Sequence, residues 1–494
     1  MPAKLKRIRP EDVGISPAVL LNYLKALEQT GFVAHHIMIL RHGKVAFEVH
    51  FSPFRPDIRH MLCSCSKSVT AAAIGFAIDD GLISIDDRIV DIFPEKLEGQ
   101  PHPFIQAMTI RHLLMMSTVY DDERIKITTD DWTRDFLNGE PLHYPGTVFG
   151  YDSTGTHVLC EIVQKLTKMT VHEYLTPRLF EPLGIDKDEV SWELNPMGIN
   201  HGGGGACFTP EAIAKFGLLH LNDGKWEGKQ VLPKEWAKEI AAPRVSCVSC
   251  DGTFKGQYGY KFWRVQDNGF ACLGLAGQSI VMHPDKDIVF VGAANGFQTD
   301  YHYFHMNYFW LLVYPHIVDG PLPYEEKAYE CLQEYVANAE VFLPGANTIN
   351  DYNHATMHNC SYDGCFMPVE KNKLGCEGFT FEFGEDCGKL TLKLKTREIS
   401  IPFGYAKHIP GPIGLQDYAK QTGDEYPNEC AAAGNWVDSR TFIIQSHVID
   451  TLQYFLITCH FGEKATVLEI KPYGVYSYDV FPISLTSMKY TDSN

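Results

Sequence analysis

No apolar stretch in this 494-residue chain reaches the roughly 18 residues that span a bilayer, so no membrane-crossing helix is expected. Basic runs are equally scarce. Lys4-Leu-Lys-Arg-Ile-Arg9 stands alone against a net charge of −18, which argues against nucleic acid and anionic membranes as main partners. The N-terminus carries charges but lacks an apolar core segment and a small-residue cleavage site. The expectation is therefore no signal peptide and a cytoplasmic protein. Glycines cluster at Gly202 to Gly205, but no G-x-G-x-x-G opens a helix after a strand, which excludes a dinucleotide fingerprint. Repeats of solenoid length are missing as well. The 14 cysteines are scattered, and Cys247-Val-Ser-Cys250 has no second C-x-x-C to accompany it. Reduced thiols, with no metal and no cofactor, are the expectation, because a closed zinc site needs a full ligand set.

What the chain does contain is enough apolar material for a folded core. Hydrophobic residues make up 45% and charged residues 21%, the balance of a soluble globular protein too long for one ordinary core. Residues 1 to about 20 read as a leader packing on the body, with helical periodicity over Pro17 to Gln29. His36 to His50 reads as two strands around a His42-Gly43 turn. Short helices are expected over Thr109 to Met116 and Gly155 to Leu166, and another after the Thr209-Pro-Glu cap. Ser279 to His283 and Asp287 to Gly292 read as strands. Strands at both ends with helices between them predict an antiparallel sheet covered by helices.

Composition changes near residue 320, where Gly320-Pro-Leu-Pro reads as a linker. Beyond it, Gly378 to Phe383, Leu390 to Leu394 and Ile399 to Ile401 show period-two alternation, as do parts of Arg440 to Ile444, Gln453 to Thr458 and Ala465 to Ile470. Such a series predicts a small barrel-like β domain over 321–494 behind a first domain over 1–320.

Ser64 and Lys67 form the only S-x-x-K spacing in the chain. They sit where an almost uncharged helix begins, one that runs to a stop at Gly81. Residues three apart share a helix face, which holds an amine beside a hydroxyl. Serine is a poor nucleophile until a neighbouring base takes its proton, and a desolvated lysine can be that base. Free N–H groups at the helix start favour the anion that develops.

Three blocks in order resemble the serine β-lactamase and penicillin-binding-protein superfamily, closest to class C β-lactamases and the esterases and D-amino-acid peptidases of that fold. They are Ser64-Cys-Ser-Lys-Ser-Val-Thr70, Pro145 to Gly155 and Gly274-Leu-Ala-Gly-Gln278. The resemblance runs from about residue 8 to 315. It implies an α+β fold: an antiparallel sheet with helices on both faces plus an all-helical lobe. It also implies roles. Ser64 would be the acylated nucleophile, Lys67 its base, and Tyr151 the phenol that shuttles a proton. The oxyanion hole would use the N–H groups of Ser64 and of Gln278, just after Gly277. Two departures bear on the substrate. Leu275 and Ala276 stand where a β-lactamase commonly has lysine and a hydroxyl residue. Ser153 replaces the usual asparagine. Both weaken recognition of penicillins more than they weaken the nucleophile.

The reading that follows is a metal-free serine hydrolase acting through an acyl-enzyme on a small ester, amide or peptide. A slow, penicillin-recognising or ligand-sensing protein of the same fold is the alternative. A homo-oligomer is compatible with the sequence, which leaves the oligomeric state open.

Overall fold

Two strands of opposite environment set the frame. β1 (Val33–Arg41) is buried along its whole length, whereas β2 (Lys44–His50) alternates between buried and partly exposed positions. A strand buried on every residue must be covered on both faces. Met38 and Leu40 accordingly join one core cluster, and Ile37 and Ile39 join another. The computed structural model describes residues 4–120, 128–248, 255–266, 268–298, 302–343, 362–412, 414–415, 429–449, 451–474 and 481–488. Within them an 8-stranded antiparallel sheet runs β2–β1, then Ile288–Asn295, Gln278–His283, Phe270–Gly274, Trp263–Arg264, Lys255–Tyr258 and Val245–Val248.

One face carries α1 (Pro17–Glu28), the helix Phe304–Tyr308 and the helix Glu326–Ala337, which packs against α1. The other face carries α2 (Ser66–Asp79) and the helix Pro210–Leu221. Beyond α2 lies the helical lobe, with the helices Ile110–Leu114, Trp132–Leu137 and Ser153–Thr167. The helix expected after Thr209 begins as read: Pro210 takes the first turn and Thr209 Oγ1 accepts from the Ala212 N–H at 3.3 Å.

α2 is buried on every residue from Ser66 to Ala77. Its polar side chains are tolerated because each is partnered. Ser66 Oγ accepts from the Ala206 N–H at 3.1 Å, and Ser68 Oγ donates to Lys261 O at 2.6 Å. The helix stops in a Schellman arrangement, with Leu82 N–H on Ala77 O and Gly81 N–H on Ile78 O. Gly81 takes φ 71°, where a side chain would be disfavoured.

The C-terminal strands, from Cys376–Phe383 through Ile483–Met488, curl into a nearly closed barrel. The short strand Met367–Pro368 comes back against the last one. Phe381, Phe383, Phe403, Trp436, Phe442 and Phe461 fill its interior. The barrel seats on the first half of the chain, where Arg55 pairs with Glu429 at 3.0 Å. His408 meets Glu340, just past the helix Glu326–Ala337, at 3.1 Å. Ala431 and Ile449 join the apolar cluster beneath α1. Among the described residues, no helix is long and apolar enough to cross a membrane.

Candidate active site

Ser64 sits in the single tight turn Cys63–Cys65, immediately before α2, and is half-buried. Lys67 lies one turn on and is 1% exposed. Its Nζ donates to Ser64 Oγ at 2.9 Å and to Gly203 O at 2.6 Å. The three-residue spacing therefore delivers its contact. The glycine run supplies the second anchor, and no chain position near Lys67 in sequence could have revealed it.

That run has a packing reason. A Cβ on Gly202 would stand 2.5 Å from Cys160 Sγ, and one on Gly203 would stand 3.0 Å from Ser153 O. On Gly205 it would meet Glu193 Cβ at 2.9 Å. The turn can reach Lys67 only because these positions carry no side chain.

Tyr151 arrives from the segment before the helix Ser153–Thr167. Asp152 caps that helix, accepting from the Gly155 N–H at 2.7 Å and from Thr118 Oγ1 at 2.8 Å. The cap fixes where the chain enters, and so places Tyr151. The Lys67 Nζ lies 4.8 Å from the Tyr151 ring centroid. The Tyr151 ring also stacks on Trp263, with centroids 5.9 Å apart and planes 18° from parallel. Ser153 begins the helix and borders Gly203.

The third block forms the hairpin turn 275–277 between the paired residues Gly274 and Gln278. Leu275 is 43% exposed, whereas Ala276, Gly277 and Gln278 are buried. Ala276 and Gly277 take φ 62° and 100°. The Gln278 side chain turns inward and donates to Ala294 O at 2.6 Å. Gly274, which opens the third block and has no role in the sequence reading, closely approaches the serine turn. A Cβ there would stand 2.4 Å from Leu62 O and 3.2 Å from Cys63 Cβ. The signal was a glycine ending an apolar strand, a mark of close backbone approach.

The flanking thiols are quiet. Burial pushes the Cys63 thiol up to about 12, outweighing the opposing pull of Lys67, and burial also raises Cys65. Of the nearby histidines, His157 is buried against Trp132 and held down to about 3 by burial. His201 is half-exposed beside the glycine turn, 3.9 Å from Glu193. Among the described residues no cluster of ligating side chains could hold a metal ion. Of the C-x-x-C pair, Cys247 is buried, and Cys250 lies outside the described residues. A cavity of about 510 Å³ between α1 and the helix Glu326–Ala337 contains none of these candidate residues.

The beta-lactamase family model matches residues 23–314. The chain belongs to the beta-lactamase family. It is 26% identical over 293 residues to the 6-aminohexanoate-dimer hydrolase of Paenarthrobacter ureafaciens, covering 54% of this chain and 74% of that protein. It is also 26% identical over 162 residues to penicillin-binding protein 4* of Bacillus subtilis, covering 30% and 34%. A candidate beta-lactamase from Bacteroides dorei DSM 17855 shares the fold, with a TM-score of 0.51 and 18% identity over 60% of this chain and 99% of that one.

Proposed function

We propose that this beta-lactamase-family chain is a serine hydrolase that cleaves a small ester, amide or peptide through an acyl-enzyme at Ser64. The supporting observation is the convergence on Lys67, whose Nζ lies 2.9 Å from Ser64 Oγ and 4.8 Å from the centre of the Tyr151 ring. With the amine neutral, the same 2.9 Å contact carries the Ser64 proton to Lys67 as Oγ attacks the substrate carbonyl. The carbonyl π pair moves to oxygen. Its return expels the leaving group, which takes a proton from the Lys67–Tyr151 pair. Water then attacks the acyl-enzyme by the reverse relay and frees Ser64.

The oxyanion is received by the Ser64 N–H and by an N–H of the turn 275–278. Within that turn Leu275 is the exposed residue and follows Gly274, which abuts Leu62 and Cys63. Gln278 is buried with its side chain on Ala294. Leu275 is thus our preferred donor. Its apolar side chain, with Ala276 beside it, offers no cation to a substrate carboxylate, which favours neutral esters and amides over penicillins. We assign the reacting groups to residues 1–320 and treat 321–494 as a second unit anchored on the first.

The test is a panel of chromogenic esters, D-amino-acid amides and one cephalosporin, run on the full chain and on Ser64→Ala. Turnover lost in Ser64→Ala, with transient acylation of Ser64 seen by mass spectrometry, is the expected result. Unchanged turnover in that variant overturns the assignment. A long-lived Ser64 adduct without product overturns hydrolysis in favour of ligand sensing.

A further inference from the structure

Two non-glycine residues in the left-handed region flank the proposed oxyanion donors. Cys63, at φ 46°, immediately precedes Ser64, and Ala276, at φ 62°, immediately follows Leu275. L-residues avoid this region, and such backbone persists only where surrounding contacts over-determine it. Both residues belong to one small apolar cluster whose other buried members are Met61 and Leu452. Leu452 is the outsider. It comes from the barrel, in the turn joining the strands Thr441–Val448 and Tyr454–Phe461.

The described residues of this turn brace one another. The Val448 N–H donates to Gln453 O at 2.9 Å, Thr451 Oγ1 donates to Val448 O at 2.9 Å, and the Gln453 N–H donates back to Thr451 Oγ1 at 2.9 Å. It is also latched from the catalytic side. Asn295, at the end of its sheet strand, donates through Nδ2 to Leu452 O and accepts from the Phe297 N–H at 3.2 Å through Oδ1. Leu452 is left 1% exposed. Surface loops normally face solvent; Leu452 is instead driven into the other half of the molecule, into the cluster that holds Cys63.

We propose that Leu452 is a positioning residue: the barrel turn clamps the Cys63–Ser64 and Leu275–Ala276 backbones so that their N–H groups converge on the oxyanion. The C-terminal barrel is then part of the catalytic apparatus, though it supplies no reacting atom. Donors aimed at a developing oxyanion work only when fixed in advance, and losing one costs about 10²–10³-fold in kcat. Loosening both through their support should cost less than that. The proposal rests on Ser64 acting as the nucleophile.

The experiment measures kcat and KM of the full-length chain on the best chromogenic ester, for Leu452→Ala, Leu452→Val and Leu452→Met, each corrected for folded fraction. Leu452→Ala should lower kcat by about tenfold or more with KM nearly fixed, since the interaction lost is one made in the transition state. Leu452→Val should fall between, and Leu452→Met, which conserves volume, should recover most of the loss. Phosphonylation of Ser64 should slow in the same order. Unchanged kcat in the folded fraction of Leu452→Ala, or a loss confined to KM, overturns the proposal. Because Ser64→Ala is read separately, failure of the clamp is distinguishable from failure of the nucleophile assignment.

Discussion

Two buried polar regions of this molecule follow opposite rules. Around Ser64, polar groups are buried together with partners: Lys67 reaches a hydroxyl and a carbonyl, and Asp152 holds a helix start. A second group, running from the sheet toward the barrel, holds imidazoles that meet rings instead. His35 stacks on Phe54 at 3.7 Å, His36 packs edge-on to His60 at 4.5 Å, and His447 stacks on Tyr454 at 5.0 Å. Among the described residues, both ring nitrogens of His35 and of His36 lack a hydrogen-bond partner. Burial depresses His35, His36 and His447 well below the ordinary histidine range, and brings His60 down to about 3. Burial with partners fixes where a polar group points. Burial without them holds an imidazole neutral, so protonating it is costly in the folded chain.

The sharpest way to break this contrast is to exchange a residue in each region. Lys67→Ala should lower ester turnover by about 10²–10⁴-fold, the range of general acid–base groups, while His35→Phe should leave turnover intact. Equal losses from both variants would mean that the regions do not differ in kind. Next in size is the acid response. Below the unfolded value near 6.5 the unfolded chain takes up protons that the folded imidazoles refuse, so stability falls with falling pH. The loss continues down to about pH 3, where His60 titrates in the folded state, at about 1.4 kcal/mol per pH unit for each imidazole so affected. Melting temperature followed from pH 7 to pH 4 should therefore drop, and His35→Phe should flatten the slope. A flat profile in the parent chain would remove the histidine argument.

A finer probe is Gly203→Ala. Its methyl would crowd Ser153 O at 3.0 Å and displace the carbonyl that anchors Lys67. Turnover should fall by about tenfold with little change in melting temperature, as expected when a catalytic group is shifted slightly. The smallest effect is at Cys63. With its thiol raised to about 12, alkylation by iodoacetamide in the native state should be far slower than at an exposed cysteine such as Cys331.

Much of the fold was legible because its signals are local. The period-two runs after residue 375 became barrel strands, and the uncharged run after Lys67 became the buried α2. Ser64 and Lys67 were legible for the same reason, since three residues on a helix is a fixed distance. Tyr151 could be reached only by resemblance. Its approach to Lys67 depends on the Asp152 cap and on Trp263, more than 100 positions away in the chain. Gly203 and Gly274 were visible only as parts of a glycine cluster and a motif, without a role, and Leu452 not at all. A glycine or a leucine carries no chemistry of its own, and each matters through what the fold presses against it.

The sequence by itself determined which groups could react and which segments would be helix or strand, because spacing, capping and periodicity act over a few residues. Tertiary structure alone decided what stands around the serine. It brought Gly203 O to Lys67, laid Gly274 against Leu62, and set a barrel leucine in the cluster that holds Cys63 and Ala276. Those meetings join positions up to several hundred residues apart, and only burial of shared apolar surface brings such distant positions together.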